Sequence, residues 1–191
     1  MILYCGTSNR GKLREFQMAA PDFEIRAISA APPEEHGATF EENACLKALY
    51  YGAQTQGWVF ADDSGLEVDA LGGEPGVHSA RFAGPNASDR DNNALLLALL
   101  LARLHGVEDR AARFICVIAL VRDGRVVKTF RGAVEGRIMD QARGPHGFGY
   151  DPLFYHEPFG CTFGEATDEQ KMQVSHRAQA LHQMFEYLRG L

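Results

Sequence analysis

Cysteine is scarce in the 191-residue sequence: Cys5, Cys45, Cys116 and Cys161 lie far apart and form no CxxC pair, so no disulfide framework is written in their spacing. They read as reduced, and three of them sit in apolar surroundings where cysteine behaves as a small hydrophobe. Long apolar runs are missing too. The longest, "ALLLALLLA" from Ala94 to Ala102, is too short to span a bilayer, and the opening "MILYCGTSNRGK" lacks the charged start and apolar stretch of a signal peptide. A cytoplasmic protein with no membrane partner is the expectation. Basic charge is in deficit, with 19 Lys+Arg against 25 Asp+Glu, a formal net charge of -6 and a pI of about 5.6. That balance excludes the broad basic footprint of a nucleic-acid binder but leaves room for a small anionic ligand carried with a cation. There is no internal repeat, low-complexity segment or interdomain linker. The composition, 46% hydrophobic and 23% charged, fits one globular domain over residues 1–191 around one core.

Met1 to Cys5 is a short apolar run ending at Gly6, and a helical pattern follows from about Arg10 to Ala19. Pro21 breaks it, "FEIRAIS" alternates as a strand does, and "SAAPPEEHGAT" has the composition of a surface loop, one that carries Glu34 and Glu35. Thr39 with Glu42 three residues later fits a capping box, opening a helix from Phe40 to about Gln56. A strand from Trp58 to Ala61 then delivers Asp62 and Asp63, and Ser64-Gly65 predict a turn at its end. From Ser88 to His105 leucine occupies nearly every helical face, which predicts a helix buried on most sides. "ARFICVIALV" and "RVVKTFRGAVEG" flank Asp123-Gly124, the strongest short hairpin signal in the chain. Strands alternating with helices near the start and a hairpin in the middle predict an α/β domain around a mixed sheet.

Four stretches could carry chemistry, and each has an inert reading. "GTSNRGK", Gly6 to Lys12, sits at a strand-to-helix turn, where free backbone amides favour an anion and Lys12 adds a point charge. It lacks Walker A spacing, and Ser8 or Asn9 capping a helix beside a solvated Lys12 explains it as well. Asp62 and Asp63 suit Mg2+, which is usually held by one or two carboxylates and takes its other ligands from water and substrate phosphates. Neighbours on an extended chain point to opposite sides, so one carboxylate would hold the cation and the other support it; the alternative is a solvated turn. In "GPHGFGYDP", Gly144 to Pro152, glycines allow close backbone approach, Phe148 or Tyr150 could stack on a heterocycle and Asp151 accept from ring N–H groups. The competing reading is a tight loop whose aromatics finish the core. In "TDEQKMQVSHRAQAL", Thr167 and Gln170 fit a capping box, and a single straight helix would scatter Lys171, His176 and Arg177. If Ser175 instead caps a second helix, His176 and Arg177 occupy its first turn, beside free amides, as a recognition corner.

Taken together, "TSNRGK", "TFEENACLKA", "FADDSGLEVDALGGEPGVHSARF", "GPHGFGYDP" and "KMQVSHRAQAL" resemble the inosine and xanthosine triphosphate pyrophosphatases, enzymes acting on non-standard purine nucleoside triphosphates. The similarity runs through nearly the whole chain in the family's order. It departs mildly at Ala178, where relatives often read "SHRG", and at Glu169-Gln170-Lys171, where "EEK" is frequent. The resemblance implies a Mg2+-dependent enzyme that cleaves ITP, dITP and XTP to the monophosphate and pyrophosphate. It further implies a homodimer, and an elongated mixed α/β fold with two lobes around an active-site cleft. It places Thr7, Ser8, Asn9, Arg10, Gly11 and Lys12 on the triphosphate, with Lys47 facing the phosphates. Asp63 matches the proton acceptor and metal-binding aspartate, Glu34 a second metal-binding position that a shift of one residue along the loop would give to Glu35, and Ser64 a substrate contact. Phe148, Gly149, Tyr150, Asp151, Lys171, His176 and Arg177 match substrate-binding positions.

On that basis Asp63, assisted by Asp62, directs water at the α-phosphorus while Mg2+ held through Glu34 and Asp63 bridges the phosphates. Donors near O6 from His176 and Arg177 would accept a 6-keto purine and leave adenine's amino group unpaired. Other readings stand beside this one: a pyrophosphatase for other modified nucleotides, a nucleotide-binding regulator without turnover, and an aspartyl-phosphate phosphatase using Asp62 or Asp63 as nucleophile. The acidic pair argues against the regulator, because a phosphate binder gains nothing from carboxylates beside its anion unless a cation intervenes.

Overall fold

Local capping signals set most helix starts. In the computed structural model, which describes residues 1–103 and 109–191, Asn9 caps α1 (Arg10–Ala19) by accepting from the Lys12 amide. Thr39 caps α2 (Phe40–Gly52) by accepting from the Glu42 amide. Each side-chain oxygen satisfies an amide that would otherwise have no partner in the first turn. Between them, β1 (Ile2–Cys5) and β2 (Glu24–Ala27) pair in parallel, Ile2 opposite Glu24, and β3 (Trp58–Val68) joins the other side of β1 in parallel, Leu3 opposite Trp58. Next come α3 (Asp89–Arg103), β4 (Ala111–Arg122) and β5 (Arg125–Ile138), then β6 (Phe154–His156), β7 (Cys161–Thr162), α4 (Asp168–Val174) and α5 (His176–Arg189). The seven strands form one sheet in the order β2-β1-β3-β4-β5-β6-β7, and β6 runs antiparallel to both β5 and β7. This is the mixed α/β sheet that the alternation of elements predicts.

The residues divide into two compact units, neither of them a contiguous stretch. The first comprises 1–64, 116–132 and 175–191, the second 65–115 and 133–174, so the chain passes from one to the other inside β3, β4 and β5 and again between α4 and α5. Phe16 meets Phe60 edge-on in the first unit, where Phe23 stacks on Phe185. The second unit is built on a cluster of Leu66, Leu96, Leu100, Phe114, Phe154 and Phe163. Among the described residues no helix is long and apolar enough to cross a membrane.

Two expectations need correcting. The strand through Asp62 and Asp63 does not stop at Ser64-Gly65; it continues to Val68, with Leu66 and Val68 fully buried. A Ser-Gly pair is only a local turn signal, and the place of β3 beside β4 in the sheet, with a bridge from Glu67 to Pro75, outweighs it. Helix α3 is less buried than its leucines suggest: Asn92, Leu96 and Leu100 form its buried row, while Leu101 is 75% exposed. The number of leucines on a helix does not decide how many of its faces are covered. The expected end of that helix, Leu104–His105, lies outside the described residues. Of the two readings open for the closing segment, the structure takes the two-helix one, because Ser175 accepts from the Ala178 amide and caps α5.

The hairpin is as expected. Asp123 and Gly124 both have positive φ, +52° and +72°, the signature of a two-residue turn that matches strand twist. Gly132 on β5 lies against the start of α5, where an added Cβ would collide with the His176 carbonyl oxygen. Gly132→Ala should therefore cost roughly 1–3 kcal/mol through overpacking and lower Tm by several degrees. An unchanged Tm in calorimetry would show that the start of α5 can move off the strand freely.

Candidate active site

The pleat of β3 separates the acidic pair. Asp62 faces the cations: Lys12 Nζ on α1 lies 3.0 Å from its Oδ2, Arg177 Nε on α5 lies 3.4 Å from the same oxygen, and Cys116 Sγ is 3.8 Å away. Asp63 faces α2, where Lys47 Nζ donates to its Oδ1 at 2.7 Å and Asn43 Nδ2 to its Oδ2 at 3.3 Å. Asn43 and Lys47 are four residues apart, hence on one helical face. Adjacent carboxylates thus serve two different sets of partners, as alternation along an extended chain requires.

The two also differ in acidity. Burial pushes the Asp62 carboxyl up, but Lys12, Arg177 and Lys47 outweigh it and hold Asp62 well below the ordinary value of 3.8. For Asp63 burial wins against Lys47, and its carboxyl is raised above that value. Burial likewise opposes the Lys47 ammonium, yet Asp63, Asp62 and Glu35 hold it above its ordinary value. Asp62 is a permanently charged anchor, whereas Asp63 is the better base.

Arg177 is the second hub. It is 2% exposed, pairs with Glu15 of α1, and donates from Nη2 to Ser64 Oγ at 2.8 Å. Its place in the first turn of α5 follows from the Ser175 cap, which also puts the buried His176 there. The strand-to-helix turn is formed as well. Thr7 Oγ1 accepts from the Asn9 amide at 3.2 Å, Asn9 is the cap, and Ser8 and Arg10 are exposed beside the half-buried Gly11. Gly6, whose amide donates to the Phe60 carbonyl at 2.9 Å, sits so close to the Tyr51 ring that no Cβ would fit.

The glycine-rich loop organises a separate cluster in the second unit. Asp151 Oδ2 accepts from Lys171 Nζ at 2.6 Å and from the Phe148 amide at 2.9 Å, and the Lys171 ammonium lies 4.7 Å from the centre of the Phe148 ring. Gly147, at φ +75°, leaves space for the Asp151 carboxylate that a side chain would occupy. The Gly149 amide donates to Asp89 at 2.6 Å. Thr167 and Gln170 exchange both bonds of a capping box, which starts α4 and so presents Lys171. Tyr150 is committed to the core, its hydroxyl donating to the Ser79 carbonyl at 2.8 Å, so of the two aromatics proposed for stacking only Phe148 is half-exposed. Ser79 also accepts from the Leu66 amide, which gives the "GGEPGVHSARF" stretch a structural role.

Asp62, Asp63, Ser64, Lys12, Lys47 and Arg177 are thus brought together in the first unit, and Phe148, Asp151 and Lys171 in the second. Glu34 is exposed and does not join either cluster; its neighbour Glu35 does, accepting from Lys47 Nζ at 2.7 Å. Glu35 was the open alternative to Glu34, whereas Glu15 and Asn43 were absent from the expected set. Glu15 falls on the face of Lys12, three residues on, and Asn43 on the face of Lys47, which is the periodic signal that could have found them. Among the described residues no group of three or more His, Cys, Asp or Glu could hold a metal ion by itself. Asp63 and Glu35 nevertheless share one ammonium, so two carboxylate oxygens converge on a single cationic centre. That donor set suits a hard cation completed by water and phosphate oxygens.

Fold and site together define an α/β protein with a buried, charge-balanced carboxylate pair on a central strand. The chain belongs to the Ham1 family, whose sequence model matches residues 3–187. A dITP/XTP pyrophosphatase of Syntrophobacter fumaroxidans is 50% identical over 94% of this chain and 78% of its own length. One from Staphylococcus aureus is 43% identical over 96% of this chain and 94% of its own. Among solved structures, a HAM1 protein from Coxiella burnetii matches with a TM-score of 0.90 at 39% identity, covering both chains fully. A nucleoside-triphosphatase / dITP/XTP pyrophosphatase from Mycobacterium abscessus matches at 0.74 and 38%, over 96% of this chain and 98% of its own.

The opposite shifts of the two aspartates give opposite stability effects. Asp62, depressed, contributes stability above pH 3.8 and loses it only as acid titrates the folded-state group; Asp63, raised, contributes below 3.8, and its ionised form opposes folding at neutral pH. Asp62→Asn should therefore cost roughly 3–5 kcal/mol at pH 7 by stripping a buried arginine of one partner. Asp63→Asn should cost far less. Denaturant melts showing equal losses for the two would contradict the assignment.

Proposed function

We propose that this chain, acting as one catalytic domain over residues 1–191 and as a homodimer, hydrolyses ITP, dITP and XTP to the monophosphate and pyrophosphate. The observation that carries the reading is Asp63: a buried carboxyl of raised pKa, kept out of the Asp62 ion-pair network and joined to Glu35 through one ammonium. The names of the relatives support it.

Asp63 is the base that orients water and takes its proton, since a carboxyl raised toward neutrality is a better acceptor than an ordinary one. Asp63 and Glu35 would hold Mg2+, with Glu34, expected from the resemblance, as the neighbouring candidate. Bound there, Mg2+ supplies charge neutralisation on the phosphate oxygens and favours ionisation of water. The amides after Thr7, with Ser8, Asn9, Arg10, Gly11 and Lys12, receive phosphate oxygens at the start of α1. Asp62 keeps Lys12 and Arg177 in place and so acts as a positioning residue. The His176-Arg177 turn, with Ser64, selects a 6-keto purine, because an adenine amino group would leave buried donors without acceptors. In the second unit Phe148, Gly149, Asp151 and Lys171 keep the substrate-binding role that the resemblance implies, with Phe148 stacking and Tyr150 holding the loop from below. The rest is positioning and electrostatics, which suffice for phosphoryl chemistry.

With dITP and Mg2+ the protein should release pyrophosphate, not orthophosphate, and lose turnover in excess chelator. Glu35→Gln should lower kcat at least tenfold and Glu34→Gln only slightly. The reverse ranking would move the metal to Glu34, and orthophosphate as the product would sink the pyrophosphatase reading.

A further inference from the structure

Lys47 has an unusual position for a phosphate-binding lysine. Its ammonium lies 2.7 Å from Asp63 Oδ1 and 2.7 Å from Glu35 Oε1, and the residue is buried, as is Asp63. The convergence point of the two carboxylates is thus filled by a positive charge of the protein's own. Asp63's other oxygen accepts from Asn43 Nδ2. Asn43 in turn accepts from the Gly37 amide at 2.8 Å, so one amide ties Asp63 to the loop that carries Glu35. The two carboxylates would stay in register if the ammonium left.

We propose that the Lys47 ammonium is a built-in stand-in for the divalent cation, occupying the place between Asp63 and Glu35 until an arriving polyphosphate draws it away. This rests on the reading of Asp63 and Glu35 as metal-holding residues. The physical reason is charge. Asp63, Glu35 and Lys47 sum to a single negative charge, and a dication entering beside an undisplaced ammonium meets a like charge in a poorly solvated place. A triphosphate changes the balance by offering Lys47 new anionic partners, after which both carboxylates turn to the cation. The cation is therefore taken up with the triphosphate, not before it. The arrangement also keeps the buried Asp63 and the half-buried Glu35 from facing each other uncompensated, a cost that an unpaired acidic site would bear.

The test uses Mn2+ alone, titrated into the full-length, nucleotide-free protein and followed by the electron paramagnetic resonance signal of free Mn2+. Lys47→Met should bind Mn2+ at least tenfold more tightly than the wild type, and Lys47→Met with Asp63→Asn should lose that gain. Lys47→Gln, which keeps a polar side chain of similar length, should show the same gain and serves if the methionine variant folds poorly. Equal Mn2+ affinity in wild type and both lysine variants would overturn the proposal, as would a gain that survives Asp63→Asn. These outcomes are separable from the proposed activity: pyrophosphate release by the wild type with equal affinities sinks only the stand-in role. The Mn2+ gain in a protein whose wild type releases no pyrophosphate sinks only the activity.

Discussion

The pleat of one strand is the constraint on which the rest depends. Because β3 stays extended through Asp62 and Asp63, their carboxylates must diverge, and each recruits its own cations from different helices. Had the chain turned at Ser64, the two acids would have been free to face one another, with mutual repulsion and no division of labour. The extended strand instead gives two identical side chains different partners and opposite shifts in acidity.

The anchor organises more than itself. Asp62 collects Lys12 from the first turn of α1 and Arg177 from the first turn of α5, and Arg177 is also tied to Glu15. Two helix starts are thereby fixed on one strand, and helix starts are where free amides gather to meet anions. Buried ion pairs are not in general a good source of net stability, since desolvation offsets much of their attraction. Their use here is geometric: they hold a lysine and an arginine where solvated side chains would roam. Gly132 contributes on the steric side by letting α5 approach β5 at the level of His176.

Much of this was legible in the sequence because much of it is local. Asn9, Thr39 and Ser175 announce helix starts through hydrogen bonds spanning three residues, and Asp123-Gly124 announces a hairpin through its own backbone preference. Alternation predicted the divergence of Asp62 and Asp63 before any partner was known. What escaped was non-local. Nothing near Ser64-Gly65 says that a sheet neighbour remote in sequence will carry the extended chain on to Val68, and nothing in a leucine-rich helix says which face goes uncovered. The choice between Glu34 and Glu35 depends on how a loop meets Lys47, which spacing along the loop does not encode. The family resemblance supplied the chemistry, but only coordinates show which carboxylate shares its cation with Asp63.

In the proposed reaction Asp63 directs water at the α-phosphorus, leaving pyrophosphate intact as the departing group. Hydrolysis of ITP in water enriched in oxygen-18, with mass analysis of both products, tests it directly. The expected outcome is one labelled oxygen in the nucleoside monophosphate and none in pyrophosphate. Label in pyrophosphate, with an unlabelled monophosphate, would place the attack on the β-phosphorus and contradict it.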